Sequence, residues 1–264
     1  GLDRFDGHRV EHIAGEDGLL ASTPIQNLFL DSKNRLWIST FYRGLYQLDL
    51  ATNKLRLVME LPQLEITEYN QTAVQFIEMA NSDMLVLFDQ SLVFYDTSND
   101  SHEVLYQVNL QDKDRAPYFR DMLLVDNMLL IASSEGLMLA DYSAQQLTFK
   151  DIEHRVDEDF NFDNGNTKRL LLDDDGALLV GTVSGLYSLP WESLKRAHRG
   201  DGVVKDSKLI IRDRNIWELK AKNNNLVWIG SDIGLLQLER NDSGWQASYV
   251  LEPSTGDVAL SRSD

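Results

Sequence analysis

The chain has 264 residues, 43% of them hydrophobic and 25% charged, which is enough apolar mass to bury a large core. Its 42 acidic side chains outnumber 25 basic ones, and the net charge of −17 repels phosphate backbones, so no nucleic-acid partner is expected. With no cysteine there are no disulfides, thiolate nucleophiles or cysteine-ligated zinc, and no apolar run reaches the ~18 residues of a membrane span.

In chain order, the first landmark is Gly1-Leu2. An apolar stretch at 25–30 follows, then the polar turn Asp31-Ser32-Lys33-Asn34 and the run Leu36-Trp37-Ile38-Ser39-Thr40. Next come Gly44-Leu45-Tyr46-Gln47-Leu48 and a more variable strand at 54–61. The series repeats at 74–79, 84–88, the degenerate landmark Ser91-Leu92-Val93-Phe94-Tyr95, and 103–110. It repeats again at 122–125, 129–133, Gly136-Leu137-Met138-Leu139-Ala140 and 146–152. A further copy takes 170–172, the turn Asp173-Asp174-Asp175-Gly176, 178–182 and Gly185-Leu186-Tyr187-Ser188-Leu189. There the insertion at 190–197 displaces the closing strand and is expected to form one helical turn or two. The last full copy spans 216–219, the turn Asn223-Asn224-Asn225, 227–231, Gly234-Leu235-Leu236-Gln237-Leu238 and 246–251.

The landmarks are spaced by 43, 47, 45, 49 and 49 residues. Asp, Asn and Gly between the runs tolerate positive φ and bond back to their own backbone, as tight hairpins demand. The runs are too short, and too rich in β-branched and aromatic residues, for helical solenoid repeats. Four short strands per repeat predict an all-β fold, a β-propeller of four-stranded antiparallel blades. The expected boundaries are a partial blade at 1–20, full blades at 21–62, 70–111, 117–153, 167–211 and 215–252, and a partial blade at 255–264. Four of the second-strand runs end in a small or hydroxyl residue, read as letting neighbouring sheets approach near the axis. Opening at a third strand and stopping at a first, the segment is expected to be cut from a larger propeller, about seven-bladed or double, because open edges aggregate.

The runs Gly1-Leu2-Asp3-Arg4-Phe5-Asp6-Gly7 and Asp17-Gly18-Leu19, together with 28–40 and Gly44-Leu45-Tyr46, resemble the two-component regulator propeller family. Residues 170–186 and 226–235 are similar, whereas the copies at Ser91 and Gly136 lack the tryptophan. The resemblance implies the periplasmic sensory part of a membrane-spanning signalling protein whose output is a histidine kinase or diguanylate cyclase. It implies membrane attachment only through segments outside this chain, and it leaves room for a homodimer of the full-length protein.

The histidines His8, His12, His102, His154 and His198 are scattered, and no nucleophile elbow, phosphate-cradling loop or His-Glu-x-x-His is present. The run Asp157 to Asn166 places Asp159, Asn161 and Asp163 at alternating positions, as calcium favours. Its glycine falls one place late, however, and Leu170 stands where a bidentate glutamate would close the loop, so a plain acidic loop is the favoured reading. No cofactor or metal is expected. Propellers place function on the loops joining second and third strands and on the loops between blades. The candidate ligand-binding residues are therefore Tyr42, Arg43, Asp89, Glu135, Arg120, Arg214, Trp217 and Asp232. Aromatics beside arginines suit stacking on sugars or peptides and pairing with carboxylates, so the expected ligand is a small molecule, oligosaccharide or peptide. The alternatives are a lyase- or hydrolase-like propeller enzyme and a protein-interaction scaffold. The first lacks a convergent catalytic cluster and the second lacks the Trp-Asp, Gly-His and Gly-Gly signatures of scaffold repeats.

Overall fold

Turn chemistry and strand alternation together build six antiparallel sheets among the described residues. The computed structural model describes residues 1–13, 18, 20–41, 43–60, 72–108, 117–143, 147–151, 166–200, 204–241 and 244–250. Blade 1 is the pair β1 (Leu2–Phe5) and β2 (Val10–Ile13). Blade 2 is β3 (Ile25–Leu30), β4 (Arg35–Thr40), β5 (Leu45–Asp49) and β6 (Lys54–Met59). Blade 3 is β7 (Ala73–Glu78), β8 (Met84–Phe88), β9 (Ser91–Asp96) and β10 (Ser101–Gln107). Blade 4 is β11 (Phe119–Val125), β12 (Met128–Ser133), β13 (Gly136–Asp141) and β14 (Lys150–Asp151). Blade 5 is β15 (Thr167–Leu172), β16 (Ala177–Thr182), β17 (Gly185–Pro190) and β18 (Lys208–Arg212), with the helix α1 (Trp191–Arg199) between its last two strands. Blade 6 is β19 (Ile216–Asn223), β20 (Leu226–Ser231), β21 (Gly234–Asn241) and β22 (Gly244–Tyr249). Each four-stranded blade is an up-and-down meander in which every strand pairs with its sequence neighbours.

The chain divides into two compact units, one of residues 1–119 with 145–147 and one of 120–144 with 148–264. In the first unit the cores lie between successive sheets. Leu2, Leu20, Ile38, Tyr46 and Leu48 join blades 1 and 2, while Trp37, Met59, Phe76, Phe88 and Tyr95 join blades 2 and 3. In the second unit Leu130, Leu139, Leu178, Leu189 and Trp191 join blades 4 and 5, and Leu179, Leu186, Ile216, Ile229 and Leu238 join blades 5 and 6. The helix belongs to one of these layers. Its residues Trp191, Leu194 and Ala197 recur at a spacing of three, so one face is buried, and Gly200 (φ 98°) closes it in the left-handed conformation. At nine residues it is longer than the one or two turns expected.

The hydroxyl that ends the second strand has a different role from the close approach read from the sequence. Thr40, Ser133, Thr182 and Ser231 each donate from the side chain to the carbonyl of the following landmark glycine, at 2.7, 2.9, 3.0 and 3.0 Å. Thr182 Oγ1 also accepts the Ser184 and Gly185 N–H groups at 3.1 and 3.0 Å, so the residue clamps the hairpin to the third strand. Close approach falls one residue earlier, at Gly181, where an added Cβ would lie 2.7 Å from Ile216 Cγ2 of the next blade.

Candidate functional site

First strands recur in the repeat, and so does a defect in them. The pairing of β3, β7, β15 and β19 with their second strands skips one residue near its start, leaving Gln26, Val74, Lys168 and Trp217 as the extra, unpaired residue. Arg120 holds the equivalent place in β11, after the buried Phe119. A bulge releases its side chain from the alternation of the strand and re-aims it, which is why bulges gather at binding sites.

In the second unit the three such positions are Arg120, Lys168 and Trp217, and they converge. Lys168 is buried, with its Nζ 3.9 Å from the centre of the Trp217 indole ring, which is half exposed. Arg169, one residue on, donates from Nε to Glu218 Oε2 at 2.9 Å and from NH1 to the carbonyls of Arg120 (3.3 Å) and Lys168 (2.8 Å). The same step across blades occurs in the first unit, where Asn27 Nδ2 donates to the Val74 carbonyl at 2.7 Å. Asp121, adjacent to Arg120, is buried and accepts the backbone N–H of Leu170 at 2.9 Å. Arg120 Nε is shielded from solvent and has no hydrogen-bond partner among the described residues. Burial and the neighbouring Arg169 guanidinium lower the affinity of Arg120 for its proton. Burial, then Arg120 and Arg169, lower that of Lys168, with Asp232 opposing. In a chain of net charge −17, this is a local concentration of positive charge beside an exposed indole.

The structure therefore draws together Arg120 and Trp217, with Asp232 acting on Lys168 through its charge. Lys168, Arg169 and Glu218 are additions that sequence reasoning did not single out. Asp232 is exposed in the β20–β21 hairpin and accepts the Asn215 N–H at 3.2 Å. Glu135 is half-buried in the β12–β13 hairpin, its N–H donated to Ser133 Oγ, and Arg214 donates from NH1 to the Asp213 carbonyl before β19. Arg43 and Asp89 occupy the second-to-third-strand hairpins of blades 2 and 3, in the first unit. Tyr42 and the calcium candidates Asp159, Asn161 and Asp163 lie outside the described residues. His12 pairs with Asp3 at 2.7 Å across β1 and β2, while His8 sits in the turn before β2, so the two do not share a strand face.

Burial pushes the Asp89 carboxyl up to about 7, and its Oδ1 has no partner among the described residues. Between the unfolded carboxyl range and pH 7 the folded chain holds the extra proton, so stability falls as pH rises through 7. Asp89→Asn is expected to raise Tm by roughly 3–6 °C at pH 8.5 and by only about half as much at pH 5.5, midway between the unfolded and folded carboxyl ranges. Thermal melts at both pH values check this, and an equal shift at both would contradict it.

The family model described as the two-component regulator propeller matches residues 19–42, a segment holding β3, β4 and the turn between them. The solved structures similar to this chain share the propeller fold. The extracellular domain of BT3049 from B. thetaiotaomicron, described as a hybrid two-component system, aligns with 100% of this chain and 33% of its own, at 15% identity and a TM-score of 0.68. The corresponding domain of BT4673 from the same organism covers 87% of this chain and 28% of its own, at 18% identity and a TM-score of 0.61. PorZ, a surface component of the type-IX secretion system of Porphyromonas gingivalis, covers 85% and 33%, at 11% identity and a TM-score of 0.62. The chain thus spans about a third or less of the length of these solved chains. No curated protein matches it. Among the described residues, no helix is long and apolar enough to cross a membrane.

Proposed function

We propose that this two-component regulator propeller chain is the periplasmic, non-catalytic ligand-sensing region of a membrane-bound regulator. Its output, a histidine kinase or diguanylate cyclase, would lie beyond the chain. The observation that carries the reading is the convergence of Lys168 and Trp217, at bulges of successive blades, with Arg120 at the equivalent place in the blade before. There the strand ladder does not dictate the side chain, and the group collected is cationic and aromatic. The repeat at 19–42, and the extracellular two-component domains that share the fold, support the sensing context.

The test is a melting-shift screen of the chain against oligosaccharides, peptides and small organic acids. At least one class is expected to raise Tm in a saturable way. Trp217→Ala should abolish that rise while leaving the ligand-free Tm unchanged, because Trp217 is 52% exposed. No stabilisation by any class would overturn the reading, as would chemical turnover of the compound that binds.

A further inference from the structure

We infer that the ligand carries a carboxylate, held by Arg120 and Lys168 beside the exposed face of Trp217. The inference rests on the sensing reading and deepens it.

The ionisable groups of the cluster fall into two sets. Arg169 is committed, with Glu218 on Nε and two carbonyls on NH1. Asp121 is committed to the backbone N–H groups of Met122 and Leu170, at 2.9 Å each. Arg120 and Lys168 are not spent in this way. The Arg120 Nε–H is shielded from water and makes no hydrogen bond among the described residues, and the Lys168 side chain, in a residue 6% exposed, meets the indole ring. A buried guanidinium N–H without an acceptor is destabilising, and so is a second cation beside it. Against these two cations stands Asp232, exposed and engaged with the Asn215 N–H.

The cluster sets three cations against the carboxylates of Asp121, Glu218 and Asp232, yet among the described residues neither Arg120 nor Lys168 has a hydrogen-bonded carboxylate partner, which suits one added carboxylate rather than a dianion. The field of a chain with net charge −17 widens the preference, since it opposes a doubly charged ligand more strongly than a singly charged one. Two oxygens in one plane can serve the Arg120 edge and the Lys168 ammonium at once, with charge-assisted hydrogen bonds to each. The indole then offers its exposed side to an apolar or ring-shaped body attached to the carboxylate.

The probes are acetate, benzoate and glucuronate, set against benzamide, glucose and sodium sulfate at equal ionic strength and up to tens of millimolar. Binding is read by melting shift and by the fluorescence difference between the native chain and Trp217→Phe. At least one carboxylate is expected to bind saturably, and its neutral counterpart and sulfate at least about tenfold more weakly. Arg120→Gln and Lys168→Gln should each weaken it roughly tenfold or more, the loss of one charge-assisted hydrogen bond. Lys222→Gln, on the exposed end of β19, should change nothing. Circular dichroism of each variant checks that it is folded, and the fluorescence readout in the native chain does not depend on any cationic variant.

Equal binding of carboxylate and neutral counterpart overturns the inference, as does equal binding of sulfate, indifference to both cationic variants, or no binding by any of the three carboxylates. The two levels separate cleanly. A neutral ligand from the screen that loses its effect in Trp217→Ala and keeps it in Arg120→Gln and Lys168→Gln sinks the carboxylate while sensing at this site stands.

Discussion

Replacing Asp31 with alanine is expected to destabilise the chain by roughly 3–5 kcal/mol, the range for unpairing a buried charge. Its carboxylate is fully covered and saturated. Oδ1 accepts the backbone N–H groups of Lys33 (3.0 Å) and Arg35 (2.8 Å), while Oδ2 accepts Arg35 Nε (2.6 Å) and the Trp37 indole N–H (2.9 Å). Burial alone would raise its proton affinity, but the bonds from Trp37 and Arg35 outweigh it and hold the carboxyl below its usual range. This contribution to stability is present above the unfolded carboxyl pKa and is lost as pH falls through the lower folded value. Asp31→Asn isolates the reason. The amide keeps an acceptor for the turn but turns its NH2 toward the indole N–H or the guanidinium, so most of the loss should persist. Urea denaturation at pH 7 measures both. A loss under 1 kcal/mol for Asp31→Ala would mean that the turn and the Trp37 pocket stand without the carboxylate.

Gly44→Ala is the second large effect, about 3 kcal/mol or more. Gly44 has φ +94°, and a Cβ built there lies 2.3 Å from the Met59 carbonyl oxygen, a backbone atom that cannot swing aside. Left-handed strain contributes about 1–3 kcal/mol and overpacking another 1–3. The cause is the fourth strand, where Val58 is an extra residue between the Leu45–Met59 and Tyr46–Leu57 pairs, pressing β6 against the start of β5. Blade 5 repeats it, with a Cβ on Gly185 meeting the Ile211 carbonyl oxygen at 2.3 Å. Denaturant midpoints for Gly44→Ala, with Gly176→Ala as a control for positive φ in open space, separate clash from strain. Equal losses in the two would leave the clash without weight.

The same two glycines explain why the repeat was legible. A landmark enforced by a backbone collision persists in sequence even when its neighbours drift, and the apolar alternation beside it marks the strand. β3 and β8 coincide with the stretches read at 25–30 and 84–88. The Ser91 and Gly136 copies, placed by spacing, are four-stranded like the others. Ser91 stands at the landmark with a φ that is not positive, and the fourth-strand bulge persists there at Leu105. Fourth strands were less legible, since an outer strand packs on one side and carries a weaker pattern. β14 is only Lys150–Asp151.

At the site, Arg120 and Trp217 could be picked out as an arginine and an aromatic at the start of their blades. Lys168 and Arg169 directly precede the apolar run at 170–172, where two consecutive cations are an ordinary solvated lead-in. Nothing in local alternation signals that Lys168 is the bulged residue, because a bulge is by definition a break in it. A column aligned on the turn aspartates, with Gln26 and Lys168 five residues before Asp31 and Asp173, was the available clue.

That column has an evolutionary consequence. It contains Gln26, Val74, Arg120, Lys168 and Trp217, side chains of amide, aliphatic, cationic and aromatic chemistry at one structural address. Where the register is known, the extra residue has no partner across the ladder, so its identity is decoupled from the hairpin that carries it. On the sensing reading proposed above, point mutation can rewrite the ligand preference, one position per blade, while the glycines and turn aspartates that hold the blades remain untouched.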